Sequence, residues 1–457
     1  MTTMTERLAR HALQIDVGAG DAKLKEISLC CVLDLLTASI AGAQTAGPLA
    51  ALGLVDLHGK GDAPVWFQDR QSSVSLALLH NGLCASSLDL DDGNRAARGH
   101  PGASVIPTVL TLGSTMREVT GSPILSAIAA GYDVGVRVAA SQRLDAIATR
   151  QTGRWAAFAS CAAAARLLEV SCEVLSQGLA IAGVLAPNQR ANGSSGYSKV
   201  TGNLVKEGIA FSARTGIEAL FLAQRGFTGP IDLLDHDRFY DQGRLIAELG
   251  RRFEISDTYF KPYACCRYIH PALDALTQMM QANGLVADDI ERINVHSFAQ
   301  ALRLANSHNP QTLVGVQYSL PFCLAVLAIE GQEALLPVSE DLLSREDLAR
   351  FAERVTLSIS DEAEARFPRE TLARLQLTLK SGSVVSSALM SPQGDPSMPM
   401  NRTFLASKLQ RVLTNRGIAD LYRPVVDAVE ALEGGNPRPL FALLETGLPR
   451  SSTVFGE

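Results

Sequence analysis

The chain has 457 residues, with 41 Lys plus Arg against 47 Asp plus Glu and a formal net charge of −6. At roughly 150 residues per domain this length suggests two or three domains, and the acidic balance argues against a general nucleic-acid binder, which carries a basic excess. Hydrophobic residues make up 47% and aromatics only 5%, so the core must be rich in Ala, Leu and Val, a composition that suits close-packed helices.

The N-terminus MTTMTERLARHALQID has no basic-then-apolar layout, so no signal peptide is expected. Asp21 can cap a helix through LKEISLCCVLDLLTASIAGA, whose apolar positions recur at helical spacing. No uncharged apolar run reaches the roughly 18 residues of a membrane span. The same periodicity predicts helices over Ser73–Leu88, Ser122–Ser141, Trp155–Glu169, Cys172–Ala182 and Val205–Arg225. Small residues crowd this half, as in ASCAAAAR from Ala159 to Arg166, and allow helix axes to approach closely. Near Ser256 the composition shifts. Ile290–Phe298, Arg354–Asp361, Leu372–Gly382 and Ser383–Met390 alternate as strands, the last two joined by a hairpin at Lys380–Ser383. Helices are expected between them at Val314–Leu327 and Arg345–Glu353, and again from Thr403 to the end. The expected organisation is a helical domain over 1–255 completed by 402–457, with an α+β lid inserted at 256–401. Eight scattered cysteines without a C-x-x-C pair read as reduced cytoplasmic thiols and give no zinc-ribbon spacing.

Three segments concentrate polar residues against this apolar background. In LDLDDGNRAARGHPG (Leu88–Gly102), Asp89 and Asp92 are three apart and would share a helix face, with His100 following after a short loop. Such residues are ordinary turn formers, but carboxylates, arginines and a histidine in one stretch can also supply acid/base chemistry. In FKPYACCRYIHPALDAL (Phe260–Leu276), Lys261, Cys266, Arg267 and His270 stand at a helix start on the domain boundary, where small-molecule sites prefer to form. The N–H donors and dipole of that helix end would suit a carboxylate-bearing ligand. In VGVQYSLPFCLAVLAIEG (Val314–Gly331), Gln317 and Tyr318 precede an apolar helix. Asn192–Gly196 (NGSSG) follows no clear strand, so it reads as no nucleotide loop, and no H-E-x-x-H exists.

These segments, in this order, resemble the MmgE/PrpD superfamily of 2-methylcitrate dehydratases, cis-aconitate decarboxylases and iminodisuccinate epimerases. LDLDDGNRAARGHPGASVIP resembles its acidic "LDFDD…HPG" signature, RGFTGP (Arg225–Pro230) a motif closing a long helix, and FKPYACCRYIHPALDA its "K.YP.C…H..IDA" stretch. VQYSLPFCLAVLAIEG and MSPQGDPSMPMNRTFLASKL resemble its "QYSLPY" and "GDP..P…KF" motifs. The resemblance implies a mainly α fold with an α+β lid, a homodimer, and a cationic interdomain cleft handling small di- or tricarboxylates without metal or organic cofactor. It matches Asp89, His100, Lys261 and Tyr318 to catalytic positions, and places Asp92, Thr152, Lys206, Cys266, Arg267 and His270 at the substrate. Four pocket positions depart from the family: Arg150 replaces a substrate-facing histidine, and Gly93 replaces a common threonine. Asn203 stands where decarboxylases carry a lysine, with Lys206 one turn on, and Cys266 stands where they carry a histidine.

The leading expectation is a lyase eliminating water from a 2-hydroxy polycarboxylate. Asp89 and His100 form the acid/base pair, and Lys261, Arg150 and Arg267 clamp carboxylates. An epimerase or decarboxylase of a related substrate is the enzymatic alternative, and a catalytically silent ligand-binding member is the alternative of another class.

Overall fold

The computed structural model describes residues 2–18, 21–58, 60–149, 151–188 and 202–449. Arg150 and the Asn192–Gly196 stretch lie outside the described residues. The chain opens with α1 (Met4–Gln14), started by a capping box between Thr3 and Glu6, and α2 (Ala22–Gly42), whose cap is Asp21 as the sequence predicts. After α3 (Ala46–His58), the short hairpin of β1 (Ala63–Val65) and β2 (Arg70–Ser72) leads into α4 (Val74–Ser86), capped by Ser73. An irregular stretch holding β3 (Gly93–Asn94) follows. Then come α5 (Gly102–Ser114), α6 (Gly121–Ser141), α7 (Thr152–Leu167), α8 (Cys172–Leu185), α9 (Ile209–Ala223) and the short α10 (Gln242–Leu245). Helix α5 carries Pro107 in its interior, which masks it in a reading by propensity.

Small residues set the spacing of these helices. A Cβ on Gly135 of α6 would lie 2.6 Å from the Ala159 Cβ of α7, and one on Gly216 of α9 would collide with the Ala157 carbonyl. The Ala-rich run of α7 is thus a contact surface for two neighbours. Helix α6 is long and apolar enough to cross a membrane, but 94% of its apolar window is buried inside the protein. There its Asp133 accepts from Arg137 at 2.7 Å and sits 2.8 Å from His11 Nε2.

The next part of the chain contributes β4 (Thr258–Tyr259), α11 (His270–Asn283), β5 (Ile290–Ser297), α12 (Ala299–Leu302), α13 (Leu313–Gln317), α14 (Leu320–Glu330) and α15 (Glu346–Ala352). It continues with β6 (Val355–Ile359), α16 (Asp361–Arg366), β7 (Arg374–Leu379) and β8 (Val384–Ser386). The sheet order is β6-β5-β7-β8, with β5 and β6 parallel and the other pairs antiparallel. Two expectations are corrected here. The helix over Val314–Leu327 is broken at Tyr318–Ser319, because Pro321 cannot donate within a continuous helix and instead occupies the first turn of α14, capped by Ser319. The strand expected to run to Met390 pairs only over Val384–Ser386, with a single bridge from Met390 to Ala373. The chain closes with α17 (Arg402–Asn415), α18 (Tyr422–Glu433) and α19 (Arg438–Glu445).

Burial separates a mainly α body from a smaller α+β layer. The larger core joins α1, α2 and α4–α9 to Leu405, Leu409, Val425 and Leu440 of the C-terminal helices. The second runs from Tyr263 to Leu377 and takes in Ala38 and Ala41 of α2, Leu88, Leu90 and Val412. Residues 88–90 lie where the two cores meet.

Candidate active site

Beyond Ser86 the backbone leaves the helix and must satisfy its carbonyls elsewhere. Four side chains from distant elements take them. Lys206 Nζ donates to the Ser86 carbonyl at 2.7 Å, Gln317 Nε2 to that of Ser87 at 2.9 Å, Lys261 Nζ to that of Asp89 at 3.0 Å and Lys408 Nζ to that of Leu90 at 2.9 Å. Three of the four are lysines, so the needs of an irregular backbone bring cations to one place. Lys408 is itself neutralised by Asp34 at 2.6 Å, both fully buried.

The side chains in this stretch sort with a period of two. Leu88 and Leu90 enter the second core, while Asp89, in a left-handed conformation (φ 53°) that Asp tolerates, and Asp91 face His100. The expected helical pairing of Asp89 with Asp92 is therefore wrong: the segment is not helical, and the partner of Asp89 is Asp91. Asp92 turns away, accepting from the Tyr132 hydroxyl and from Gly102 N at 3.0 Å, where it holds the start of α5. Asn94 then closes the loop: its side-chain oxygen accepts from Ala96 N at 2.9 Å and its N–H donates to the Gly99 carbonyl at 2.9 Å. This delivers His100, whose N–H donates to Thr152 Oγ1 at 3.1 Å; Thr152 Oγ1 in turn donates to Glu207 at 2.7 Å. Thr152 thus positions the histidine backbone. Lys261 arrives by another route, because β4 pairs antiparallel with β3 and carries the chain onward to the same point.

The resulting cluster is compact and almost fully buried. Lys261 Nζ lies 2.9 Å from Asp89 Oδ1 and 3.5 Å from His100 Nδ1, and Lys206 Nζ lies 4.0 Å from Asp89 Oδ1. His100 Nε2 is 3.5 Å from Asp89 Oδ1, and its Nδ1 is 3.3 Å from Asp91 Oδ2 and 3.0 Å from the Asp92 carbonyl. Burial alone would raise the Asp89 carboxyl, but Lys261, Lys206 and His100 outweigh it and hold Asp89 well below the usual range. Burial and Lys261 pull the His100 imidazole down, yet Asp91 and Asp89 leave it above its ordinary value. Burial would likewise lower Lys261, but Asp89 and Asp91 raise it, whereas for Lys206 burial wins and its ammonium is weakened. An imidazolium between two carboxylates, flanked by two ammonium groups, can donate a proton and hold an anion.

Asp89, Asp91 and His100 bring ligand atoms within 4.8 Å of one another, a set that by composition could hold a metal ion. Lys261 stands against that reading, since its ammonium already neutralises Asp89 and would repel a cation at the same oxygen.

The remaining sequence-predicted residues divide. Tyr318 is buried at the end of α13, its ring centroid 5.9 Å from Lys206 Nζ. Cys266 borders the cluster with its thiol pushed up to about 12, chiefly by burial, so it stays protonated. Arg267 spends its guanidinium on Asp395, at 2.5 Å, and stacks 4.8 Å from the Tyr259 ring centroid. His270 is turned to structure: its Nε2 is 3.1 Å from the Cys265 carbonyl and its Nδ1 is 3.4 Å from Arg267 Nη1, and burial first, then Arg267, keep it neutral. Asp91 and Glu207 were missed, and Gln317 and Lys408 stood in quoted segments without a role. Asp91 was legible in the Asp-Asp pair once the period was read as two; the others come from elements far apart in sequence.

Asp92 offers a test of its structural placement. Burial, reinforced by Asp34 and Asp91, pushes its carboxyl up to about 7. A native pKa above the unfolded one, about 3.9, means the native state binds the extra proton, so this contribution to stability is lost as pH rises from about 4 to 7. Asp92→Asn should abolish that loss, so wild type should lose melting temperature relative to the variant across that interval. Parallel melting curves at every pH would refute the assignment.

Comparison with known proteins bears on this arrangement. The MmgE/PrpD N-terminal domain matches residues 6–243 and the MmgE/PrpD C-terminal domain residues 263–429. A cis-aconitate decarboxylase of Aspergillus terreus is 23% identical over 350 residues, covering 70% of each chain. The cis-aconitate decarboxylase-like protein oryM of Aspergillus oryzae is 22% identical over 419 residues, covering 84% of this chain and 85% of its own. The cis-aconitate decarboxylase of Mus musculus is 23% identical over 393 residues, covering 81% of this chain and 78% of its own. With both domains matched across most of its length, the chain belongs to the MmgE/PrpD family.

Proposed function

We propose that the protein is a lyase that removes carbon dioxide from a small polycarboxylate, using Lys261 and Lys206 to hold the anion and His100 to supply the proton. The observation that carries this reading is the geometry of the cluster: Lys261 Nζ lies 2.9 Å from Asp89 Oδ1 and His100 Nδ1 lies 3.3 Å from Asp91 Oδ2, contacts that favour the ionised carboxylate and the imidazolium. Losing carbon dioxide leaves an electron pair on carbon, which needs nearby cations and then a proton, but no base. The C–C bond breaks, the pair delocalises toward the adjacent unsaturation or carboxylate, His100 Nε2–H protonates carbon, and the imidazole recovers its proton from solvent. The decarboxylase relatives support lyase chemistry in general.

Elimination of water, the leading expectation from sequence, is the second reading, and Lys206 favours it. Its weakened ammonium could take an α-proton while His100 protonates the leaving hydroxyl, since two groups whose environments push them apart make an acid/base pair. Asp89 is a poor candidate for that base, being tied to Lys261. Incubation with cis-aconitate, citrate and 2-methylcitrate separates the two: carbon dioxide release marks decarboxylation, and rising ultraviolet absorbance of a new alkene without it marks dehydration. Exchange of solvent deuterium with neither would mark an epimerase, and inertness throughout would defeat the lyase reading. Turnover should survive prolonged dialysis against a chelator, because Lys261 takes the charge role of a metal; loss restored by one specific metal would refute this.

A further inference from the structure

Tyr259 closes β4, and its Cα partner across the two-residue ladder is Gly93. A Cβ built on Gly93 would collide with Tyr259 Oη and Cζ and lie 2.7 Å from Cε2, so the phenol is laid across the bare glycine and any side chain at 93 would evict it. The residue is only 6% exposed. Its hydroxyl makes no hydrogen bond among the described residues and is not fully enclosed. Buried tyrosines ordinarily pair that hydroxyl, and one left open in a polar cleft is available to a ligand.

The surroundings favour an anion. Arg95 and Arg267 both bind the single carboxylate of Asp395, so their charge is only half neutralised. Arg267 Nε and Arg95 Nη1 are buried without partners. Burial raises the phenol above its ordinary pKa even against the pull of Lys261, Arg267 and Arg95, so it remains a neutral donor. Tyr259 therefore stands among cations: the Arg267 guanidinium lies 4.8 Å from its ring centroid, and Lys261 and Arg95 act on its hydroxyl as well.

We propose that Tyr259 Oη, with the phenol seated over Gly93, donates a hydrogen bond to a second carboxylate of the bound substrate and thereby selects di- and tricarboxylates over monocarboxylates. This rests on the polycarboxylate reading above. Calorimetric binding of tricarballylate, a saturated tricarboxylate, and of butyrate to the full-length protein tests it. Tyr259→Phe should weaken tricarballylate binding roughly 10- to 100-fold, the range for one hydrogen bond to a charged group, raise KM in parallel, and leave butyrate binding and melting temperature unchanged. Equal tricarballylate affinity in a folded Tyr259→Phe protein would overturn the proposal alone. Failure of wild type to bind any polycarboxylate would overturn the parent reading and this one together. The seat has its own measurement: Gly93→Ala should lower the melting temperature of wild type but scarcely that of Tyr259→Ala, because the collision is then gone. Additive effects of the two substitutions would show that the phenol does not lie on Gly93 and would overturn the proposal.

Discussion

Replacing His100 with Gln should lower kcat by roughly 10²–10⁴ while KM stays near the wild-type value, in a protein that still folds but melts somewhat below wild type. The side chain sits at the centre of the cluster, and its removal takes the nearest cation from buried Asp91, whereas Asp89 keeps Lys261 and the backbone of residue 100 keeps its bond to Thr152. Gln matches the size of imidazole and can still donate a hydrogen bond, but it cannot release a proton. The pH profile carries the sign of the role. If the imidazolium is the acid, kcat is full below its pKa and falls as pH rises through it, and that pKa lies above the ordinary 6.5 because of Asp91 and Asp89. Asp91→Asn removes the nearer of these and should shift the alkaline limb to lower pH with a smaller loss of kcat. A folded His100→Gln enzyme with near-normal kcat would end the assignment, and an unmoved limb in Asp91→Asn would detach Asp91 from it.

How much of this was legible beforehand depends on what kind of constraint fixed each residue. Helices α2 and α4 could be read because capping and apolar period are local: Asp21 and Ser73 mark their starts, and both side chains accept from the third residue on. The fold class followed from such signals, and the family from the resemblance of five motifs taken in order along the chain. The acidic segment was found but misread, because the spacing of Asp89 and Asp92 fits a helix turn and nothing local announces the left-handed residue that starts the extended run. Leu88 and Leu90 held the correction, since two leucines alternating with two aspartates describe a half-buried extended segment. Lys408 stands in the last quoted motif, but its role was not legible: it fills a backbone carbonyl 318 residues away, a demand that exists only once the chain has folded. Arg267 was named without its partner. Its charge suggested a substrate clamp, and the packing of residues 391–395 against it supplies the Asp395 that it shares with Arg95.

Lys261→Met should raise KM and lower kcat together, and should also destabilise the protein. The ammonium would hold the substrate in the ground state and hold it more tightly as negative charge grows in the transition state, so both parameters should move. The stability loss has a separate cause. Asp89 is buried, and without Lys261 it keeps only His100 Nε2 at 3.5 Å and Lys206 at 4.0 Å, the latter weakened by burial. Breaking such a pair from one side typically costs about 3–5 kcal/mol, because a charge is left in a poorly solvating interior. The sign with pH follows. In wild type Asp89 is depressed by Lys261, so its stabilisation is present above the unfolded carboxyl pKa and lost as pH falls through the folded one. In Lys261→Met the carboxyl prefers to be neutral, so the deficit against wild type should shrink as pH is lowered. Adding Asp89→Asn should restore much of the melting temperature by removing the stranded charge, while activity stays lost because the cation at the substrate is still missing. Recovery of activity along with stability in that double variant would show that Lys261 serves only the fold, and a Lys261→Met enzyme with wild-type KM and kcat would remove it from the site altogether.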